Sequence, residues 1–303
     1  METRDNMKGA GLMIVSMAAF TFNDVCVKAL AGEVPLMQVI FLRGLLSSLL
    51  IWFAGRQMRA LHFRISARDW RLILLRSAAD VGATFSYLTA LFHMPIANVT
   101  AILQVLPLTV TLAAALFLAE PLGWRRLIAI AVGLAGVMLI VKPGTEGFDY
   151  FSLYALLGVG FITVRDLAAR RLSRDVPSIS AALLNALAVT LAAGVGSVLG
   201  SEGWVGLEAH SLLLIVMAAS FILCGYLSAV AVMRVGEISF TAPFRYTGLL
   251  WALLLGYVVF GDFPGNLTLL GAVIVVVTGI FTLLREARLR RRKAQPVAKR
   301  ARI

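Results

Sequence analysis

Ten apolar blocks, joined by links of only a few residues, occupy nearly the whole chain. They run approximately over 9–31, 36–55, 70–92, 97–119 and 124–142, then over 150–170, 178–199, 209–233, 238–260 and 266–284. A bilayer core demands about 20 apolar residues of a crossing helix, and each block meets that length. Inside lipid only helices and closed barrels satisfy every backbone donor and acceptor, and the strict apolar–polar alternation of a barrel strand is absent. The pattern predicts an all-α polytopic membrane protein with ten transmembrane helices. Composition agrees: 60% of the residues are hydrophobic, against about 45–50% in soluble domains, and the mean hydropathy is +0.88. Pro35, Pro95, Pro121, Pro143, Pro177 and Pro264 fall in or beside links, where a missing N–H costs least.

The formal charge of +12 invites a nucleic-acid partner, but its placement argues against one. Lys and Arg gather at block ends and in the tail from Arg285 to Arg302, with no extramembrane domain to shape a groove. With the N-terminus cytoplasmic, inner segments hold Arg4 and Lys8, then Arg56, Arg59, Arg64, Arg68 and Arg71. Arg125, Arg126, Arg170, Arg171, Arg174, Arg234 and the tail continue the series. Outer links hold Lys142 beside the acidic Glu33, Glu146, Glu202, Glu208 and Asp262. That asymmetry predicts both termini inside, with the tail against anionic headgroups. The N-terminal stretch resembles a signal peptide only superficially: Asp24 and Lys28 interrupt the apolar run, so it is the first span.

The second half of the chain repeats the first at one constant offset. Asp24-Val25-Cys26-Val27-Lys28 aligns with Asp166-Leu167-Ala168-Ala169-Arg170, and Glu33-Val34-Pro35 with Asp175-Val176-Pro177. Ile96 then meets Ile238, and Glu120 meets Asp262. Five spans per half is an odd number, so the second half enters the membrane inverted, an arrangement common in secondary transporters. The expected organisation is a cytoplasmic N-terminus (1–8), a first five-helix repeat (9–142), a second, inverted repeat (150–284) and a basic cytoplasmic tail (285–303).

Charges inside the spans carry the functional argument. Asp24, Lys28, Arg43, Arg76, Asp80, Arg165, Asp166 and Arg245 all fall within the blocks, where an ionisable side chain costs about 2.5–3.5 kcal/mol on insertion scales. Arg43, Arg76 and Arg170 stand close enough to span ends to snorkel, whereas Asp24, Asp80 and Arg245 belong in the bundle interior or a wet cavity. Asp24 and Lys28, Arg76 and Asp80, and Asp166 and Arg170 are spaced i,i+4 and can close on one helix face. Such pairs either hold helices in register or line and gate a path for a polar substrate. The fourth span carries Thr100, Gln104, Pro107 and Thr111 as a polar stripe with a hinge in it. The ninth opens Thr241-Ala242-Pro243-Phe244-Arg245-Tyr246-Thr247, where the proline frees backbone groups for a polar ligand. Tyr87 and Tyr226 are either core packing or ring-stacking partners.

Other chemistries find no footing. There is no GxxxxGK[ST] stretch for ATP, no HExxH, and His62, His93 and His210 are isolated. Cys26 and Cys224 sit within apolar blocks without CxxC or Cys/His spacing. Serines and histidines do not cluster as a nucleophile and base would, so neither an enzyme nor a bound cofactor or metal is expected. The oligomeric state is not written in any motif.

Two acidic span ends, Leu118-Ala119-Glu120-Pro121 and Phe260-Gly261-Asp262, and a Gly-rich fifth span with Gly133-Leu134-Ala135-Gly136-Val137 resemble the drug/metabolite transporter superfamily in its ten-helix EamA-type branch. The resemblance covers about residues 9–285. Phe22-Asn23-Asp24-Val25 with Lys28, and Ala242-Pro243-Phe244-Arg245-Tyr246, are similar to bacterial S-adenosylmethionine uptake carriers. Riboflavin uptake carriers are close candidates in the same superfamily. The resemblance implies alternating access around a central cavity built by spans 1, 3, 4, 6, 8 and 9. Carried onto this chain, the wall would hold Asp24, Lys28, Arg76, Asp80, Gln104, Arg165, Asp166, Arg245 and Tyr246. Arg245 would bind an anionic or carbonyl group, Tyr246 would stack a ring, and Asp24 and Asp80 would serve as gating partners or counter-ions. The expected function is uptake of a heterocyclic metabolite, with export of amino acids or drugs as the alternative and a non-transporting sensor or scaffold a distant one.

Overall fold

The structure is a computed structural model that describes residues 2–300 apart from 64, 120–122, 144–147, 174, 201–202 and 236–237. The side chains of residues 2–4, 233–234, 238–239 and 286–300 also fall outside the description. Among the expectations above, Arg4, Arg64, Glu120, Pro121, Glu146, Arg174, Glu202, Arg234 and the tail side chains beyond Arg285 therefore lie outside the described residues.

The described chain is helical throughout its spans. The first half comprises α1 (Glu2–Ala29), α2 (Leu36–Gln57), α3 (Ala67–His93), α4 (Ile96–Leu103), α5 (Leu106–Leu118) and α6 (Trp124–Val141). The second comprises α7 (Phe151–Arg171), α8 (Ser178–Leu199), α9 (Ala209–Val235), α10 (Ile238–Thr241), a 3₁₀ turn (Ala242–Tyr246), α11 (Thr247–Phe260) and α12 (Asn266–Arg300). Local chemistry sets the starts: Pro35, Pro95 and Pro177 each stand at an N-cap, where the fixed φ and missing N–H suit the entry to a helix. Ser66 caps α3 by accepting the Asp69 N–H at 3.1 Å. The Asp69 carboxylate accepts from the Ser66 hydroxyl at 2.8 Å, and from the Ser173 N–H and hydroxyl at 3.1 and 2.9 Å. This clasp joins the start of α3 to the link after α7. Those hydrogen bonds, Ser66 foremost, hold the Asp69 carboxyl below the ordinary aspartate range.

Among the described residues, nine spans are long and apolar enough to cross a membrane, counting α4 with α5 and the 3₁₀ turn with α11. The remaining one, α3, is 27 residues long but carries Arg76 and Asp80 at its centre. The chain is a multi-pass membrane protein. Its fourth and ninth spans are broken at their middles, not the continuous helices that block length alone suggests.

Helix boundaries in the second half reproduce those of the first. Leu36 and Ser178, Gln57 and Leu199, Ala67 and Ala209, His93 and Val235, and Trp124 and Asn266 are corresponding helix ends, each pair separated by the offset that relates Asp24 to Asp166. Packing partners correspond too: α1 lies along α9 and α3 along α7, while α2 faces α8 and α6 faces α12. Shifting every element by half the molecule returns the same set of neighbours. Lipid supplies no hydrophobic drive between helices, so close packing holds them together. At the α6–α12 contact Gly136 and Gly271 let backbones meet, because a Cβ on Gly271 would stand 2.5 Å from the Gly136 carbonyl. Exposed Leu116, Phe117, Leu191, Val198 and Val258 lie on the outer surface, where lipid replaces water.

Candidate functional site

The breaks in the fourth and ninth spans bring polar groups to the bundle centre. α4 ends at Leu103, and α5 restarts at Leu106 with Pro107 in its first turn. In the other half Pro243 opens the 3₁₀ turn that ends at Tyr246. Gln104 and Tyr246, at these two breaks, are related by the same offset as the helix ends. Irregular backbone at membrane depth is tolerated where it lines a cavity, and a cavity lies between the breaks.

That cavity has a volume of about 590 Å³, within the roughly 300–1,000 Å³ of small-molecule sites. Its wall contains Asp24, Arg76, Asp80, Gln104, Arg165, Asp166, Arg245 and Tyr246. One end of the bundle is shut: Val27, Leu30, Leu91 and Ile96 have no exposed surface, and they form one apolar cluster with Leu88 of the cavity wall. Arg245, also in the wall, is exposed.

The charges pair mainly across helices, and the pair that forms along one is Arg165 with Asp166, its neighbour in sequence. Asp24 accepts from the Tyr87 hydroxyl at 2.5 Å and from Asn23 Nδ2 at 2.9 Å, and Arg43 Nη1 donates to Asn23 Oδ1 at 3.3 Å. Arg165 Nη1 reaches Asp80 Oδ1 at 2.9 Å, and its Nε donates to Asp166 Oδ1 at 3.0 Å. Asn185 Nδ2 donates to the other Asp80 oxygen at 3.3 Å while its own Oδ1 accepts from Ser77 at 2.8 Å. The two clusters are related by the repeat. Asn23 corresponds to Arg165, Asp24 to Asp166 and Arg43 to Asn185, so the halves keep the aspartate and exchange asparagine with arginine.

Three placements differ from the sequence expectation. Lys28 lies off the cavity wall and donates to the carbonyls of Leu91 and Met94 at 3.2 and 2.6 Å, with its ammonium 5.5 Å from the Phe260 ring centre. It therefore caps the last turn of α3, where free carbonyls attract a cation, and does not pair with Asp24. Arg43, near enough to a span end to snorkel, is only 7% exposed and turns inward to Asn23. Tyr246 is 6% exposed, and its hydroxyl packs where a Cβ on Gly279 of α12 would stand, so much of the ring is committed to the bundle. Asn185 escaped the sequence reading. The signal that could have found it is its place in the second half, where it is the repeat counterpart of the intramembrane Arg43.

The comparisons with known proteins fit this architecture. Residues 7–142 match the EamA-like transporter family. The chain is 26% identical to the S-adenosylmethionine uptake transporter of Rickettsia felis, over 95% of this chain and 96% of that one. It is 25% identical to the pseudopaline exporter of Pseudomonas aeruginosa, over 89% of this chain and 95% of that one. The riboflavin transporter of Vibrio cholerae is 28% identical over 67% of each chain. A solved crystal structure, 19% identical, shares the fold with a TM-score of 0.64 over 95% of this chain and 99% of its own.

Proposed function

We propose that this EamA-like protein is a secondary transporter that carries a small polar metabolite across a bacterial cytoplasmic membrane by alternating access. The observation that carries the reading is the charged cavity between two broken spans, open at one end and closed at the other by apolar side chains. The matched helix ends support two structural units, 9–142 and 150–284, that exchange roles between states. The basic inner links support cytoplasmic termini. In that orientation the shut end faces outward, and the cavity belongs to an inward-facing state. The basic tail then lies beside anionic headgroups.

Full-length similarity to S-adenosylmethionine uptake transporters favours uptake of that kind of metabolite, with riboflavin the second candidate. The test is uptake of labelled S-adenosylmethionine and riboflavin, in parallel, by cells that cannot otherwise import them. The expected result is accumulation of S-adenosylmethionine, competed by the unlabelled compound and reduced roughly tenfold or more by Arg245→Ala in correctly inserted protein. Similarity to the pseudopaline exporter supports export as the second reading. Loss of a preloaded label, without uptake, would select it.

A further inference from the structure

The cavity wall is unevenly satisfied. Each of its three aspartates already accepts from a protein donor: Asp24 from Tyr87 and Asn23, Asp80 from Arg165 and Asn185, and Asp166 from Arg165. Five wall groups are left over, each buried without a hydrogen-bond partner among the described residues: Arg43 Nε, Ser47 Oγ, Arg76 Nε and the hydroxyls of Tyr226 and Tyr246. The side chains of Arg43, Ser47 and Tyr246 are buried in the bundle, whereas Arg76 and Tyr226 keep part of their surface open. These last two come from different helices, α3 and α9, and lie within electrostatic reach of one another. Arg43, Arg76, Arg165 and Arg245 stand against Asp24, Asp80 and Asp166 in the wall, a formal excess of one positive charge (four against three).

A buried donor without an acceptor is costly, and a guanidinium whose Nε edge is free presents the planar fork that matches a carboxylate. A neutral ring system would leave the fork empty. We infer that Arg76 and Tyr226 form a subsite for the carboxylate of the transported metabolite, so that the substrate class is an amino-acid-type compound and not a neutral flavin-like ring. The inference rests on the transporter reading above and narrows it.

The experiment is ligand binding to purified full-length protein, read by thermal stabilisation, with matched probes that differ only in the carboxylate. S-adenosylmethionine is compared with its decarboxylated form on wild type, Arg76→Gln and the near-isosteric Tyr226→Phe. The expected result is that wild type prefers the carboxylated probe by roughly tenfold or more, with the preference falling to about threefold or less in either variant. Tyr226→Phe keeps the test decisive if Arg76→Gln inserts poorly. Equal binding of the two probes overturns the subsite while leaving the transporter standing. If neither adenosyl probe binds, the favoured substrate fails, and the same assay is run with N-substituted amino acids against their amides. A preference for the acids that Tyr226→Phe abolishes sustains the subsite. No such preference, or stabilisation by riboflavin alone, overturns it.

Discussion

Asp80 stands where three helices meet: its own α3, α7 through Arg165 and α8 through Asn185. A carboxylate shared in this way couples its partners, so single substitutions should not add. Asp80→Asn and Arg165→Gln, made singly and together, are expected to show a coupling of about 1 kcal/mol in unfolding stability. Strict additivity, measured in lipid-like detergent, would mean that the ion pair does not persist in the membrane. The sequence located these charges but mispaired them. An i,i+4 spacing shows that Arg76 can reach Asp80 along one helix; which helix of the other half comes nearer is decided by interhelical packing, which spacing along one chain does not encode. Lys28 was misjudged for a related reason. Its neighbours are backbone carbonyls at the end of α3, and carbonyls leave no mark in a pattern of side chains.

At the scale of elements, proline placement made the two breaks legible: Pro107 and Pro243 each lie in the first turn after a discontinuity. The ends of α5 and α11 were harder to read, since the chain makes the same left-handed turn with different residues. Ala119 has φ 53° and Gly261 φ 70°, at corresponding C-caps. A side chain in that region costs about 1–2 kcal/mol, whereas glycine adopts it freely. Ala119→Gly should therefore stabilise the protein by up to about 1 kcal/mol after the greater freedom of the unfolded chain is subtracted. Gly261→Ala should destabilise it by a similar amount. Paired thermal melts check both signs. The spans themselves were read within a few residues, because the bilayer imposes one length and one conformation on every block. α3 shows the limit of a purely hydropathic reading: its central charges pull it below the apolarity of its neighbours, and those same charges line the cavity.

For the whole molecule, the constant offset visible in a few residue pairs extends to helix ends, broken spans and neighbour sets. The exchange of asparagine with arginine between the two polar clusters keeps the corresponding residues equal in charge but puts the arginine at a different position in each half. Such a protein need not hold its two orientations at equal energy, and the substrate contributes to the balance. The apolar layer of Val27, Leu30, Leu91 and Ile96 has an electrical consequence as well. Protons hop along chains of water, and a constriction lined only by hydrocarbon breaks such a chain by dewetting. The resting protein should therefore be an insulator that leaves the cell's proton-motive force intact while its cavity stands open on the other side. Leu30→Ser is expected to let a pH gradient across proteoliposomes collapse faster than wild type does, with no substrate present. Equal decay rates would place the barrier to conduction elsewhere in the bundle.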